Sequence, residues 1–194
     1  MVALLSSEHI YIEAHETYSK QSWRNRCIVA TANGLQSLIV PVNKVYGNHT
    51  QTKDIRVSYA ENWQQIHWRT LTAAYNKSPW FEHYSPLIEP CFRQQTETLF
   101  ELNMSLLKLV LKLLKVDKTI SVTSTYLKDA SEMRDFRNRF NPKGRPVDKT
   151  EKTYYQVFAD RIGFHPNLSI LDLLFCEGPL SMAYLESLNQ DRQF

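Results

Sequence analysis

The octapeptide KQSWRNRC, Lys20 to Cys27, sets two arginines either side of an asparagine just ahead of an apolar run, IVATANGLQSLIVPV. Guanidiniums are permanently charged, forked donors that match the oxygens of a phosphate or carboxylate. If Arg24 to Cys27 is extended, Arg24 and Arg26 point to one face and Asn25 and Cys27 to the other. Two chemistries fit that pattern. The pair could hold an anionic ligand, or it could pair with Glu13 or Glu16 and pin the preceding segment to the hairpin.

His67 falls on a helical wheel beside Trp63 and Ala74, on or near the apolar stripe. A half-buried imidazole there could act as a general base, or be a core histidine satisfied by one hydrogen bond. Asp172 lies inside an apolar helix. An acid in such a place suggests function, yet Ser169 to Asp172 also matches the capping box, in which the carboxylate satisfies a backbone N–H at the helix start. Ser169, Asp172 and Cys176 share one side of that helix. Cys27 and Cys176 read as buried, unreactive thiols. The segment from Arg134 to Lys152 carries seven basic residues, Arg137 among them, against three acidic ones, and fits an anion-binding flap or a solvated charged loop.

Other chemistries are argued against. No phosphate-cradling G-x-x-x-x-G-K-[ST] or G-x-G-x-x-G motif occurs, and no H-E-x-x-H. No metal site and no cofactor are expected. The three cysteines lack C-x-x-C spacing, which argues against a disulfide framework and for a reducing cytoplasm. The N-terminus has neither the basic region nor the apolar length of a signal peptide, and no stretch approaches a membrane span. A net charge of +3 is too mild for a dedicated nucleic-acid binder.

These residues must be positioned by strands early in the chain and helices later. HIYIE alternates as a strand, and Asn33-Gly34 between RCIVATA and LQSLIVPV predicts a hairpin with both turn residues at positive φ. DIRVSYA, Asp54 to Ala60, alternates again. NWQQIHWRTLTAAYNKS has helical period, ended by Ser78-Pro79. WFEHYSPLIEPCF is expected to be helical in part, interrupted by Pro86 and Pro90. FRQQTETLFELNMSLLKLVLKLLKV is a mostly buried helix with one polar stripe, Glu101, Ser105, Lys108, Lys112 and Lys115. TISVTSTYL predicts a further strand. The charged stretch from Ser131 onward suggests a short helix and then a mobile loop over residues 141–153. YYQVFADRIGF fits helix or strand. The last helical region breaks at Gly178-Pro179, where proline suits a first turn. The expected fold class is α/β, with mixed α+β as its variant, and a single core in one domain over residues 1–194.

Taken together, YIEAHETYSKQSWRNRC, the hairpin ending LIVPV, NWQQIHWRTLTAAYNKSPWFEHY, DFRNRFNPK, YYQVF and GFHPNLSILDLLFCEGP follow one order over almost the whole chain. In that order they resemble the WbqC-like protein family of bacteria, in the version found among Bacteroidetes-type sequences. The resemblance implies weight on Arg24, Asn25 and Arg26 as its RN(R) signature, on His67 and Trp68 as its HW pair, on Tyr75 at a helix end, and on Asp172. Cys176 departs from the asparagine more usual there. Members begin with a further strand and a Pro-containing loop, which this chain is expected to lack. The family takes its name from a surface-polysaccharide (O-antigen) gene cluster.

The resemblance and the residues together lead to one expectation: a cytoplasmic enzyme that transfers a group to an amine or hydroxyl of a sugar or nucleotide-sugar. Arg24, Asn25, Arg26, Trp68, Tyr75 and Arg137 would contact an anionic substrate such as a nucleotide-sugar or sugar phosphate. His67 would take a proton, with Asp172 or Glu177 orienting it or the substrate. The alternative is a non-catalytic protein that binds an anionic metabolite or a protein partner, with the Leu-rich helix as the partner face.

Overall fold

A computed structural model describes residues 1–131, 133–137, 139–140 and 152–190. In chain order the elements are α1 (Val2–Leu5), β1 (His9–Ile12), β2 (Arg26–Thr31), β3 (Gly34–Ile39), β4 (Val42–Asn43), β5 (Arg56–Val57), α2 (Trp63–Tyr75), α3 (Phe81–Ile88), α4 (Leu99–Leu113), β6 (Thr119–Val122), α5 (Ala159–Ile162), α6 (Ile170–Glu177) and α7 (Ser181–Gln190). This is a mixed α/β fold. Its strands do not merge into one sheet among the described residues: β1 pairs with β6 in parallel, while β2–β3 and β4–β5 are antiparallel pairs. Two-stranded ribbons are marginal alone, so each relies on packing against helices or loops.

The hairpin forms where the sequence places it, but its turn is shifted by one residue. Thr31 pairs with Gly34, so Ala32 and Asn33 are the turn residues. Only Gly34 takes a positive φ, +109°, whereas Asn33 does not. The Thr31 hydroxyl explains the shift: it donates to the Gly34 carbonyl at 2.8 Å and accepts from the Asn33 amide at 3.3 Å, closing the turn from its own side chain.

DIRVSYA shortens to the two residues of β5, since Ile55 and Val57 are buried but the backbone on either side is used elsewhere. The Val57 amide donates to Glu97 and the Ile55 carbonyl accepts from Leu99, which ties β5 to the start of α4. α4 begins later than hydrophobicity suggests. Thr98 and Glu101 form a reciprocal capping box there, each side chain accepting from the other's amide at 3.1 Å.

Tertiary packing also turns α2. Its buried face is Trp63, His67, Leu71, Ala74 and Tyr75, while Ile66 lies outside it, 55% exposed. The buried residues fall into two clusters. The larger joins β2–β3 to α2, α3, α4, α6 and α7 through Val29, Leu38, Leu71, Tyr75, Phe175 and Leu185. The smaller gathers Tyr18, Ile55, Val57, Trp63, Leu99 and Leu102. α2 and α4 contribute to both and so bridge them. In α4 the apolar side chains Leu99, Leu102, Val110 and Leu111 are buried, and the stripe from Glu101 to Lys112 faces water.

The undecided stretch YYQVFADRIGF is neither a full helix nor a strand: Tyr154 to Gln156 form no regular element, and only α5 is helical. No helix forms among the described residues of 131–140. Of the expected mobile loop 141–153, residues 141–151 lie outside the described residues. α6 ends at Gly178, which has φ +56°. A Cβ there would sit 2.3 Å from the Trp80 ring, so both the backbone and the close approach demand glycine.

Candidate functional site: a cationic cluster around Tyr18 and a buried carboxylate

β2 begins only at Arg26, and Arg24 and Asn25 lie in the turn before it, so strict alternation does not apply to Arg24. Their roles divide. Arg24 donates to Glu16 from Nε at 2.8 Å and from Nη2 at 2.5 Å, both partly shielded. This ion pair fastens the segment after β1 to the hairpin, and Asn103 of α4 adds a hydrogen bond to the Arg24 carbonyl at 2.8 Å. Asn25 is buried and donates from its amide to the Val40 carbonyl at 2.9 Å, extending the hairpin by one rung next to Pro41. Its Oδ1 is buried without a partner.

Arg26 differs from Arg24. Among the described residues it forms no salt bridge, and its buried Nε has no acceptor. An unpaired buried donor costs free energy unless something outside the chain satisfies it. Its surroundings are cationic. Tyr18, 5% exposed, has its phenol pushed up by burial and pulled back by the charges of Arg26 and Arg24. Lys44 Nζ stands 5.9 Å from the centre of the Tyr18 ring. Three cations therefore surround one phenol, and Glu16 is the carboxylate that answers one of them.

His67 is linked to this cluster through the hairpin. Ile39 pairs with Arg26 across the β2–β3 ladder, and the imidazole hydrogen-bonds the Ile39 backbone. The ring is 7% exposed and meets Trp63 edge-on with centroids 5.1 Å apart. Burial lowers its pKa, with the Ile39 bond a weaker opposing effect, so the imidazole is neutral at physiological pH.

Farther along α2, Tyr75 and Asp172 form a second arrangement in the larger core cluster. His67 and Tyr75 are eight residues apart on one helix, about 12 Å along its axis. Tyr75 donates to Asp172 Oδ2 at 2.7 Å, Tyr154 donates to Oδ1 at 2.6 Å, and the Tyr75 hydroxyl accepts from the Ala30 amide at 3.3 Å. Asp172 is fully buried. Burial lifts it above the ordinary carboxylate range, although both phenols and the Gln156 side chain favour its ionised form. The capping reading holds for Ser169 alone: its Oγ accepts from the Leu171 amide at 3.4 Å, while the Asp172 carboxylate turns inward to the phenols. Cys176 beside it is pushed up to about 12 by burial and by the Asp172 charge, and burial raises Cys27 too.

The remaining expected site residues lie elsewhere. Glu177 accepts from the Tyr155 amide at 3.0 Å. Trp68 packs between Phe81 and Phe92 against the larger cluster. Arg137 lines a cleft near β1, described below. The structure thus brings Arg24, Asn25, Arg26 and His67 into one neighbourhood and Tyr75 with Asp172 into another. Tyr18, Lys44 and Tyr154 were not singled out by sequence reasoning. Tyr154 stands in a recognisable YYQVF segment, but a tyrosine on an irregular stretch carries no periodic signal of its partner. No group of three or more His, Cys, Asp or Glu among the described residues could hold a metal ion. No helix among them is long and apolar enough to cross a membrane.

Residues 2–143 match the WbqC-like protein family, and the chain belongs to it. It is similar to a protein of Mycobacterium tuberculosis named Uncharacterized protein Rv1507c, 25% identical over 201 residues that cover 89% of this chain and 85% of that one. No solved structure matches the chain.

Proposed function

We propose that the protein is an enzyme of bacterial surface-polysaccharide biosynthesis, transferring a group to a sugar or nucleotide-sugar whose anionic part is held at Arg26. The observation that carries this reading is the unanswered guanidinium. Arg24 is neutralised by Glu16, yet among the described residues Arg26 has no carboxylate and its buried Nε no acceptor, and Lys44 adds charge on the same phenol. A phosphate oxygen would complete the Arg26 donor set and balance the local charge. The O-antigen gene cluster behind the family's name favours a nucleotide-sugar or sugar phosphate as the substrate.

In this reading Arg24 and Asn25 position Arg26 rather than contact substrate. Arg24 locks the turn to Glu16, and Asn25 fixes its exit to Val40. His67, neutral and one ladder partner away from Arg26, is the base that takes a proton from the acceptor amine or hydroxyl. Asp172 and Tyr75 hold α2 against β2 and so set the register of His67.

The test is turnover by mass spectrometry with nucleotide-sugars and activated acyl donors. His67→Ala and the more conservative His67→Gln should both abolish product and leave substrate affinity within about threefold, the pattern of a group needed only in the transition state. Turnover that survives both substitutions would refute the role of His67.

A further inference from the structure

A concavity of about 490 Å³ is lined by α1, β1 and the segment that follows β6. That volume suits a small ligand. The cleft is lined by residues that the cationic cluster does not use, and its chemistry has three parts.

The first is an aromatic and apolar face. Tyr11 is 50% exposed and stacks on His9 with ring centroids 4.4 Å apart, and His9 is fixed by a 2.8 Å hydrogen bond to the Ser121 hydroxyl. Met133 and Phe136 also line it. The second is an anchored carboxylate. Glu13 accepts from the Leu127 and His15 amides and from the Thr123 hydroxyl, at 2.8 to 2.9 Å. Burial raises its pKa, but these bonds and the Arg137 charge outweigh that and hold it below the usual range, so it stays ionised.

The third part is cationic, and its two arginines differ as Arg24 and Arg26 do. Arg137 is committed to the protein: it bonds both oxygens of Asp135, donates to the Leu127 carbonyl at 2.6 Å, lies over the Tyr126 ring, and reaches Glu13 at 3.7 Å. Arg134 lines the same cleft, is exposed, and takes part in no ion pair among the described residues.

We infer that this cleft is a second binding site, separate from Arg26, and that it takes a phosphorylated sugar. The ring's apolar face would lie on Tyr11 and its phosphate would pair with Arg134, while Glu13, held by its own three donors, keeps Arg137 in place on the cleft wall. A ligand of this kind uses the aromatic face and the cation together, whereas a bare anion would leave the aromatic face without a role. Glu13 of the cleft and Glu16 of the Arg24 pair are three residues apart, a Cα separation of at most about 11 Å. The two sites therefore stand at adjoining positions on one segment, an arrangement that suits an enzyme with two substrates.

The experiment is calorimetric titration of the full chain with glucose 1-phosphate and with glucose, on the wild type and on Arg134→Ala, Tyr11→Ala and Arg26→Gln. Arg134 and Tyr11 are exposed, so their variants should melt like the wild type. The wild type should bind glucose 1-phosphate at least tenfold more tightly than glucose. Arg134→Ala and Tyr11→Ala should each weaken it by tenfold or more, and Arg26→Gln should retain a binding event that depends on Arg134. Absence of binding, equal affinity for the two probes, or a loss confined to Arg26→Gln would each overturn the second site. The last of these would leave the Arg26 reading standing, which separates failure of one site from failure of the other.

Discussion

Arg24 and Arg26 show how two like residues two positions apart come to opposite uses. Arg24 is a structural ion pair, and removing it leaves the shielded Glu16 carboxylate without its cation. Arg24→Gln should therefore lower stability by about 1–3 kcal/mol. Arg26→Gln removes a buried donor that has no partner, so it should leave stability unchanged or raise it, as expected where a group is kept for function at the expense of the fold. Urea denaturation of the two variants checks both signs. Asp172 permits a further test. Its folded pKa is raised, so the native state binds more protons than the unfolded chain between the ordinary carboxylate value and the folded one. Its contribution to stability falls as pH rises through that window. Asp172→Asn should flatten this slope in melts taken across acidic pH. Tyr154→Phe deletes one of the two phenol donors and should cost about 1–3 kcal/mol.

At the scale of elements, legibility followed periodicity. The α2 and α4 helices, the hairpin strands and the Gly178 break could all be read in the sequence because each has a local cause: a 3.6-residue period, alternation, or a residue that only one geometry tolerates. What could not be read was set by long-range partners. The parallel pairing of β1 with β6 depends on contacts across most of the chain. The hairpin turn moved because the Thr31 hydroxyl competed with the Asn-Gly preference. The α4 start was legible in Thr98 and Glu101, but the apolar run hid it. Thr98→Ala should cost about 1 kcal/mol, the usual worth of such a cap. Gly178→Ala forces a Cβ onto the Trp80 ring at a positive φ and should cost on the order of 2 kcal/mol or more. Thermal melts of these two variants would rank them in that order. The candidate site divides in the same way. The RNR turn and His67 were legible as residues of interest, yet which arginine lacks a partner depends on Glu16, Tyr18 and Lys44 meeting in space.

Across the whole molecule, α2 and α4 tie the smaller cluster, which holds Tyr18, to the larger core that buries Asp172. The Arg26 cluster thus rests on rigid elements, and a ligand there should stabilise the chain as a unit, by RT ln(1 + [L]/Kd). The central claim is that Arg26 reads an anion, and a titration with UDP-glucose tests it most directly. Calorimetry on the wild type and on Arg26→Gln, with melting temperatures recorded for both, should show binding to the wild type, at least a tenfold loss in the variant, and no fall in the variant's melting temperature. Equal affinity in the two proteins, or a loss of binding accompanied by a large drop in melting temperature, would contradict it and make Arg26 a structural residue like its neighbour Arg24.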